Sequence, residues 1–77
     1  MSKYHITIKP EGTGKFVTEG GEVIERVCMD VNGQDVQVIY YDGDTSRAVV
    51  FVGDKAANLP EREIADFIES KVPEHKP

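Results

Sequence analysis

The chain has 77 residues, a formal net charge of -5 and 30% charged residues, and these numbers already exclude several classes of protein. A chain this short is expected to form a single domain, residues 1–77, with a small core and little room for an enclosed pocket. Its acidic surface would repel phosphate backbones and anionic lipids, which argues against direct nucleic-acid or membrane binding. The composition therefore predicts a small acidic globular protein.

The cysteine content and the first residues bear on the compartment. Cys28 is the only cysteine of the sequence, so no disulfide can form within the chain. The opening residues MSKYHITIKP lack a basic segment followed by an apolar one. No apolar run approaches the ~18 residues needed to cross a bilayer. These features predict a cytoplasmic protein in a reducing environment.

The first predicted elements are two short strands. Apolar and polar residues alternate over residues 4–9, with Tyr4, Ile6 and Ile8 on one face, which is typical of a half-buried strand. Pro10 and the following EGTG predict that this strand ends and the chain turns. Residues 15–18 are then expected to form a short returning strand.

Residues 22–31, EVIERVCMDV, fit either a strand or a helix. Four of these ten residues are β-branched, and no N-cap residue stands immediately before them, which favours a strand. Asn32-Gly33 follows and favours a two-residue hairpin turn into residues 34–41. A glycine also commonly terminates helices, so a β-α-β-β-α fold with a helix at 22–32 is the alternative.

The hairpin interpretation predicts a complete register. Val31 would lie opposite Gln34, Met29 opposite Val36, and Val27 opposite Val38, while Asp30 would face Asp35 as an unfavourable like-charge pair. One face of the hairpin would then carry the side chains expected in the core, namely Val27, Met29, Val31, Val36, Val38 and Tyr40. The other face would carry Ile24, Cys28, Ile39 and Tyr41.

The second half of the chain predicts one more strand and one helix. Residues 42–46, DGDTS, read as a turn, and residues 47–52, RAVVFV, read as a strand buried on both sides because both of its faces are apolar. A helix is expected over residues 59–72, with Asn58 as N-cap, Pro60 in the first turn and Glu61 completing a capping box. Its apolar stripe would contain Ile64, Phe67, Ile68 and Val72.

These elements together predict an α+β fold. We expect an antiparallel meander of about four to five strands, with one C-terminal α-helix packed on one face of the sheet. Pro73 should end the helix, and residues 73–77 should form a frayed polar tail.

No motif in the sequence satisfies the requirements of a catalytic, metal or cofactor site. DVNGQD and DGDTS place oxygen-bearing side chains at alternate positions, but both lack the glycine and the bidentate glutamate of a calcium loop. GTGK lacks the surroundings of a phosphate-binding loop. His5, Cys28 and His75 lack zinc-ligand spacing. The sequence predicts no enzyme, no cofactor and no metal.

One helix can cover only two to three strands, so the sheet face with Ile24, Ile39 and Tyr41 is expected to remain open. Uncovered apolar surface usually marks an interface, with another protein or with a second copy of the chain. We therefore expect a protein-interaction module, a regulator or inhibitor, with these three residues as anchors. Its charged rim would be Asp30, Asp35, Asp42 and Asp44. Two alternatives are a small-ligand or cation-binding domain that uses the turn carboxylates, and a nucleic-acid mimic that binds a basic protein.

Overall fold

The computed structural model describes residues 4–73, and within them five strands are followed by a short 3₁₀ turn and one α-helix. The strands are β1 Ile6–Val17, β2 Val23–Val31, β3 Gln34–Tyr41, β4 Asp44–Val52 and β5 Lys55–Leu59. The turn is Glu61–Glu63, and the helix α1 is Ile64–Lys71. Each strand pairs antiparallel with its neighbour in the chain, so the sheet order is β1-β2-β3-β4-β5. The predicted α+β meander with a C-terminal helix is confirmed.

The β2–β3 hairpin has the predicted register. Val31 lies opposite Gln34, and the pairing continues through Asp30 opposite Asp35 to the far end of both strands. Asn32 and Gly33 have φ angles of 54° and 86°, the left-handed backbone that a two-residue hairpin turn requires. The alternative helix at 22–32 is wrong, because β2 is a strand that pairs with a neighbour on each side.

The expected reversal of the chain after Pro10 is wrong. β1 is one continuous strand, and both of its halves pair with β2 in the same direction. Residues 10–13 form a bulge that stands against the single residue Val27, because Lys9 pairs with Cys28 and Gly14 pairs with Arg26. The segment predicted as a returning strand at 15–18 therefore continues the first strand instead of folding back on it.

The β3–β4 connection is shorter than predicted. β4 already begins at Asp44, which pairs with Tyr41, and the register then shifts so that Tyr40 pairs with Ala48. The prediction that residues 47–52 are buried on both sides is also wrong. Ala48, Val50 and Val52 are buried, but Phe51 on the opposite face is 37% exposed, because α1 covers only one side of the sheet.

The helix begins later than predicted, because a fifth strand precedes it. Asn58 is not an N-cap; it lies in β5 and pairs with Val49 of β4. Pro60 favours an extended backbone at the residue before it, which keeps Leu59 in the strand. The chain then forms the 3₁₀ turn, and α1 starts only at Ile64.

The core lies between α1 and one face of the sheet, which we call the helix face. Its buried residues are six predicted sheet positions and two members of the predicted helical stripe: Val31, Val36, Val38, Ala48, Val50, Val52, Ile64 and Val72. Val27, Met29 and Tyr40, which were also predicted for this face, are only partly buried. Phe67 and Ile68, the rest of that stripe, pack partly buried against this cluster. Of the predicted tail at 73–77, only Pro73 lies within the described residues.

Candidate functional site

The side of the sheet that α1 does not cover, which we call the open face, carries aliphatic and aromatic side chains with the polar residues Arg26 and Gln37 among them. Because directly paired residues of antiparallel strands point to the same side, the register defines this face. Phe16, Ile24 and Tyr41 form one row across β1, β2 and β3. The following rows add, on the same side, Arg26, Ile39, Val49, Gln37 and Phe51.

The three predicted anchors come together on the open face. Ile24 is paired with Tyr41, and Ile39 lies two residues from Tyr41 along β3, on the same side of the sheet. All three are half-buried by their neighbours. More exposed aromatic rings flank them, since Phe16 is 41% and Phe51 is 37% exposed.

Two arginines stack on aromatic rings of this face, and they differ in whether they also form ion pairs with carboxylates. The Arg47 guanidinium lies 3.9 Å from the Tyr41 ring centre and forms ion pairs with Glu22 and, at 3.2 Å, with Asp44. The Arg26 guanidinium lies 4.6 Å from the Phe16 ring centre, and its Nε donates a 2.7 Å hydrogen bond to the Gly12 carbonyl. Within residues 4–73, Arg26 forms no ion pair with a carboxylate.

The β1 bulge covers the Cys28 end of the open face. A methyl group added at Gly12 would lie only 3.1 Å from Cys28 Sγ, so the bulge backbone rests directly on the thiol. Thr13 Oγ1 accepts a 2.9 Å hydrogen bond from the Cys28 amide and donates a 2.7 Å bond to the Lys9 carbonyl. The sequence predicted that Cys28 lies on an uncovered face. In the structure the bulge covers Cys28 and leaves the surface around Ile24, Ile39 and Tyr41 open.

Two of the predicted rim carboxylates, Asp30 and Asp35, lie at the tip of the β2–β3 hairpin and face each other as expected. The two carboxylates do not share a partner, and each of them forms its own interaction. Asp35 forms an ion pair with Lys9, and Asp30 Oδ1 accepts a 2.8 Å hydrogen bond from the Gly33 amide. The second bond is the side-chain-to-backbone contact typical of aspartate before a tight turn.

The other two rim carboxylates lie at the opposite end of β3, where Asp42 is in the connection to β4 and Asp44 is the first residue of β4. Asp44 Oδ1 accepts hydrogen bonds from the Ser46 hydroxyl and, at 3.0 Å, from the Ser46 amide. These bonds, together with Arg47, hold the pKa of the Asp44 carboxyl below its ordinary value. The structure therefore separates the four aspartates into two pairs at opposite ends of the sheet.

Sequence reasoning missed Arg26, Phe16, Val49 and Phe51 as members of this face. Alternation correctly places Val49 and Phe51 on one face of their strand, but that face was predicted to be buried. The sequence predicted Phe16 in a separate returning strand, so the pairing of Phe16 with Ile24 was not predicted. The hairpin register did put Arg26 opposite Ile39, and that was the available signal for it.

The open face and its surroundings contain shallow depressions rather than an enclosed chamber. One of about 610 Å³ lies near the Lys9–Asp35 pair and reaches Phe51. Another of about 380 Å³ adjoins Ile24 and Tyr41. Among residues 4–73 no three His, Cys, Asp or Glu side chains are grouped as a metal site would require. No helix in that part of the chain is both long and apolar enough to cross a bilayer.

Comparison of the chain with protein-family models, with curated protein sequences and with solved structures found no match in any of the three.

Proposed function

We propose that this protein is a non-enzymatic interaction module, a regulator or inhibitor that acts by burying its open face against a partner protein. The observation that carries the proposal is the one-sided packing of the sheet. The open face presents Ile24, Ile39, Val49 and three aromatic rings side by side, with no element of residues 4–73 packed over them as α1 is on the other side. Apolar side chains grouped on an uncovered face are a feature of interaction sites.

Two of the three aromatic rings of this face, Tyr41 and Phe16, have an arginine stacked on them before any partner binds. Arg47 stacks on Tyr41 and is itself fixed by Glu22 and Asp44, while Arg26 stacks on Phe16 and is fixed by the Gly12 carbonyl. Side chains that are already ordered lose less conformational entropy on binding. Buried Tyr, Phe and Ile anchors with an adjacent arginine are therefore well suited to be the energetic centre of an interface.

Charge on and around the face would select the partner. Arg26 keeps guanidinium N–H groups that form no ion pair within residues 4–73, so a partner carboxylate can bind them. The aspartates at the two ends of the sheet would form a rim that favours basic groups at the partner's periphery. Such complementary charges contribute to specificity and to the association rate more than to affinity.

The test compares two open-face substitutions with the parent chain. Immobilised parent chain would first capture and identify a partner, and calorimetry with that purified partner would then measure Ile39→Asp and Tyr41→Ala. We expect each substitution to weaken binding by at least about tenfold, as loss of an interface anchor does. Arg62→Ala, on the exposed surface of the 3₁₀ turn, is the matched control and should bind like the parent.

Circular dichroism would check that every variant remains folded. If the folded Ile39→Asp and Tyr41→Ala variants bind every partner of the parent with unchanged affinity, the open face is not the interaction surface and the proposal fails.

A further inference from the structure

The outer edge of β1 is a second surface, at which another strand could pair. β1 is the first strand of the sheet order, so one of its sides has no neighbouring strand within residues 4–73. The His5 carbonyl accepts a 3.0 Å hydrogen bond from the Asn32 amide, so His5 directs its peptide groups towards β2. Successive residues of a strand alternate in this respect. Ile6 and Ile8 therefore direct their backbone N–H and C=O groups outwards.

Two exposed isoleucines distinguish the first part of β1 from the other edge of the sheet. On the opposite edge, β5, the exposed residues are Lys55, Ala56 and Asn58, none of which is a large apolar side chain. The second half of β1 is interrupted by Pro10 and the bulge, both of which block strand addition. Residues 5–9 are regular, and the two side chains pointing to the helix face are Ile6, 60% exposed, and Ile8, 50% exposed.

An apolar groove continues this edge towards the helix. It has a volume of about 290 Å³ and is lined on the sheet side by Tyr4, Ile6, Met29 and Val31 and on the helix side by Ala65, Ile68 and the acidic residue Glu69. A strand added beside β1 would place its helix-face side chains next to Ile6, at the mouth of this groove.

We propose that two copies of this chain form a homodimer by antiparallel pairing of their β1 edges, centred on Thr7. Ile6 of one copy then lies opposite Ile8 of the other, and each such pair exchanges both backbone hydrogen bonds. The isoleucines of both copies form one apolar cluster beside the groove, and the two five-stranded sheets become continuous. Pro10, which lacks an N–H group, would lie opposite Tyr4 and end the pairing on each side.

The charges of this edge do not oppose its pairing with a second copy. The whole chain carries a formal charge of -5, which opposes self-association, but residues 4–9 contain no acidic side chain. Lys9, which would lie opposite His5 of the second copy, is already paired with Asp35. Two copies therefore meet at this edge with little repulsion. The short pairing length predicts a weak dimer, with a dissociation constant in the micromolar range.

The test measures the oligomeric state of the purified full chain by sedimentation velocity and light scattering from micromolar to millimolar concentration. We expect a monomer–dimer equilibrium. Ile8→Pro removes an outward N–H that β2 does not use, and Ile6→Lys places a charge within the apolar cluster. Each should raise the dimer dissociation constant at least about tenfold.

Two controls locate the contact. Val17→Lys makes the same type of change at an exposed position of β1 outside the pairing segment and should leave the dimer intact. Ile39→Asp on the open face should also leave it intact, which separates this inference from the proposed function.

A folded parent that remains monomeric at millimolar concentration would overturn the proposal. So would a dimer that persists in folded Ile6→Lys, or one that Ile39→Asp dissociates, because each outcome would locate self-association elsewhere. Ile6→Lys decides the matter if Ile8→Pro fails to fold, since Ile6 is largely exposed and its replacement leaves the backbone unchanged.

Discussion

Asn32 holds three segments of the chain together through one side chain. Its Oδ1 accepts a 2.7 Å hydrogen bond from the His5 amide, and its Nδ2 donates a 2.9 Å bond to the Pro73 carbonyl. Its backbone has a φ of 54°, which asparagine adopts more readily than most residues. The hairpin turn therefore also fixes the start of β1 and the end of the helical segment.

Replacement of Asn32 should separate the backbone contribution from that of the side chain. Asn32→Gly keeps the left-handed conformation but removes both side-chain bonds, and we expect a loss of about 1–2 kcal/mol in the free energy of unfolding. Asn32→Ala adds backbone strain and should cost ~1 kcal/mol more. Urea denaturation measures both values. Equal stabilities of the parent and Asn32→Gly would show that the two side-chain bonds contribute nothing.

Asp44 makes stability depend on pH in a defined direction. Its carboxyl pKa is lowered chiefly by the hydrogen bonds that Ser46 donates, with a smaller effect from Arg47. A lowered folded-state pKa stabilises the protein above the unfolded-state value of about 4, and this stabilisation is lost as the pH falls through the folded-state pKa. Ser46→Ala should raise the Asp44 pKa towards its ordinary value.

Carboxyl carbon chemical shifts, followed by NMR over an acid titration, would measure the Asp44 pKa directly. Ser46→Thr keeps the hydroxyl group and is the matched control, with an expected pKa close to that of the parent. An unchanged pKa in Ser46→Ala would mean that the Ser46 hydroxyl does not set the charge state of this turn.

At the scale of the elements, β1 is interrupted by a bulge that one polar side chain bridges. The bulge at residues 10–13 would leave the Cys28 amide without an acceptor in β1, but the Thr13 hydroxyl replaces the missing backbone group. The same hydroxyl donates to the Lys9 carbonyl and so closes the bulge. This contact lets the strand continue past Pro10 instead of reversing.

Thr13→Val should destabilise the protein by about 1–3 kcal/mol, because it leaves a partly buried N–H group and a carbonyl without their partner. Faster hydrogen exchange at the Cys28 amide would identify the bulge as the place where stability is lost. Thr13→Ser retains the hydroxyl and should remain near the parent in both measurements. Unchanged exchange at Cys28 in Thr13→Val would contradict this role of the hydroxyl.

The helix is an element that depends on its surroundings. α1 has only eight residues, fewer than an isolated helix needs to be stable in water. Its stability comes from packing of the stripe that the sequence predicted, with Ile64 and Val72 buried against the sheet. The starting point was wrong because Asn58 and Leu59 pair with β4. A capping pattern in the sequence cannot show whether the same residues pair with a neighbouring strand.

At the scale of the whole molecule, the one helix and five strands of residues 4–73 leave two exposed surfaces of different kinds. The open face offers side chains, with aromatic rings, isoleucines and Arg26. The β1 edge offers backbone groups flanked by Ile6 and Ile8. Because β1 pairing leaves the open face accessible, the proposed dimer would present two open faces to partners. Ile6→Lys should therefore weaken the dimer without weakening partner binding, and Ile39→Asp should weaken partner binding without weakening the dimer.

The sequence by itself determined the hairpin register, the residues of both sheet faces in β2 and β3, and the apolar stripe of the helix. Alternation, turn chemistry and helical periodicity are local properties, and the Asn32-Gly33 turn sets which residues of the two strands are paired. The three expected anchors share one face for that reason. Their role in binding stays a prediction.

Only the tertiary structure decided which of these apolar surfaces would be covered. The continuation of β1, the covering of Cys28 by the bulge and the fifth strand before the helix all depend on contacts between residues far apart in sequence, such as Thr13 with Cys28 and Asn58 with Val49. The position of Phe16 on the open face, beside Ile24 and under the Arg26 guanidinium, follows from the pairing of β1 with β2. Local patterns do not encode such contacts, because the same proline, glycine and asparagine residues fit a turn, a bulge or a cap equally well until their partners are in place.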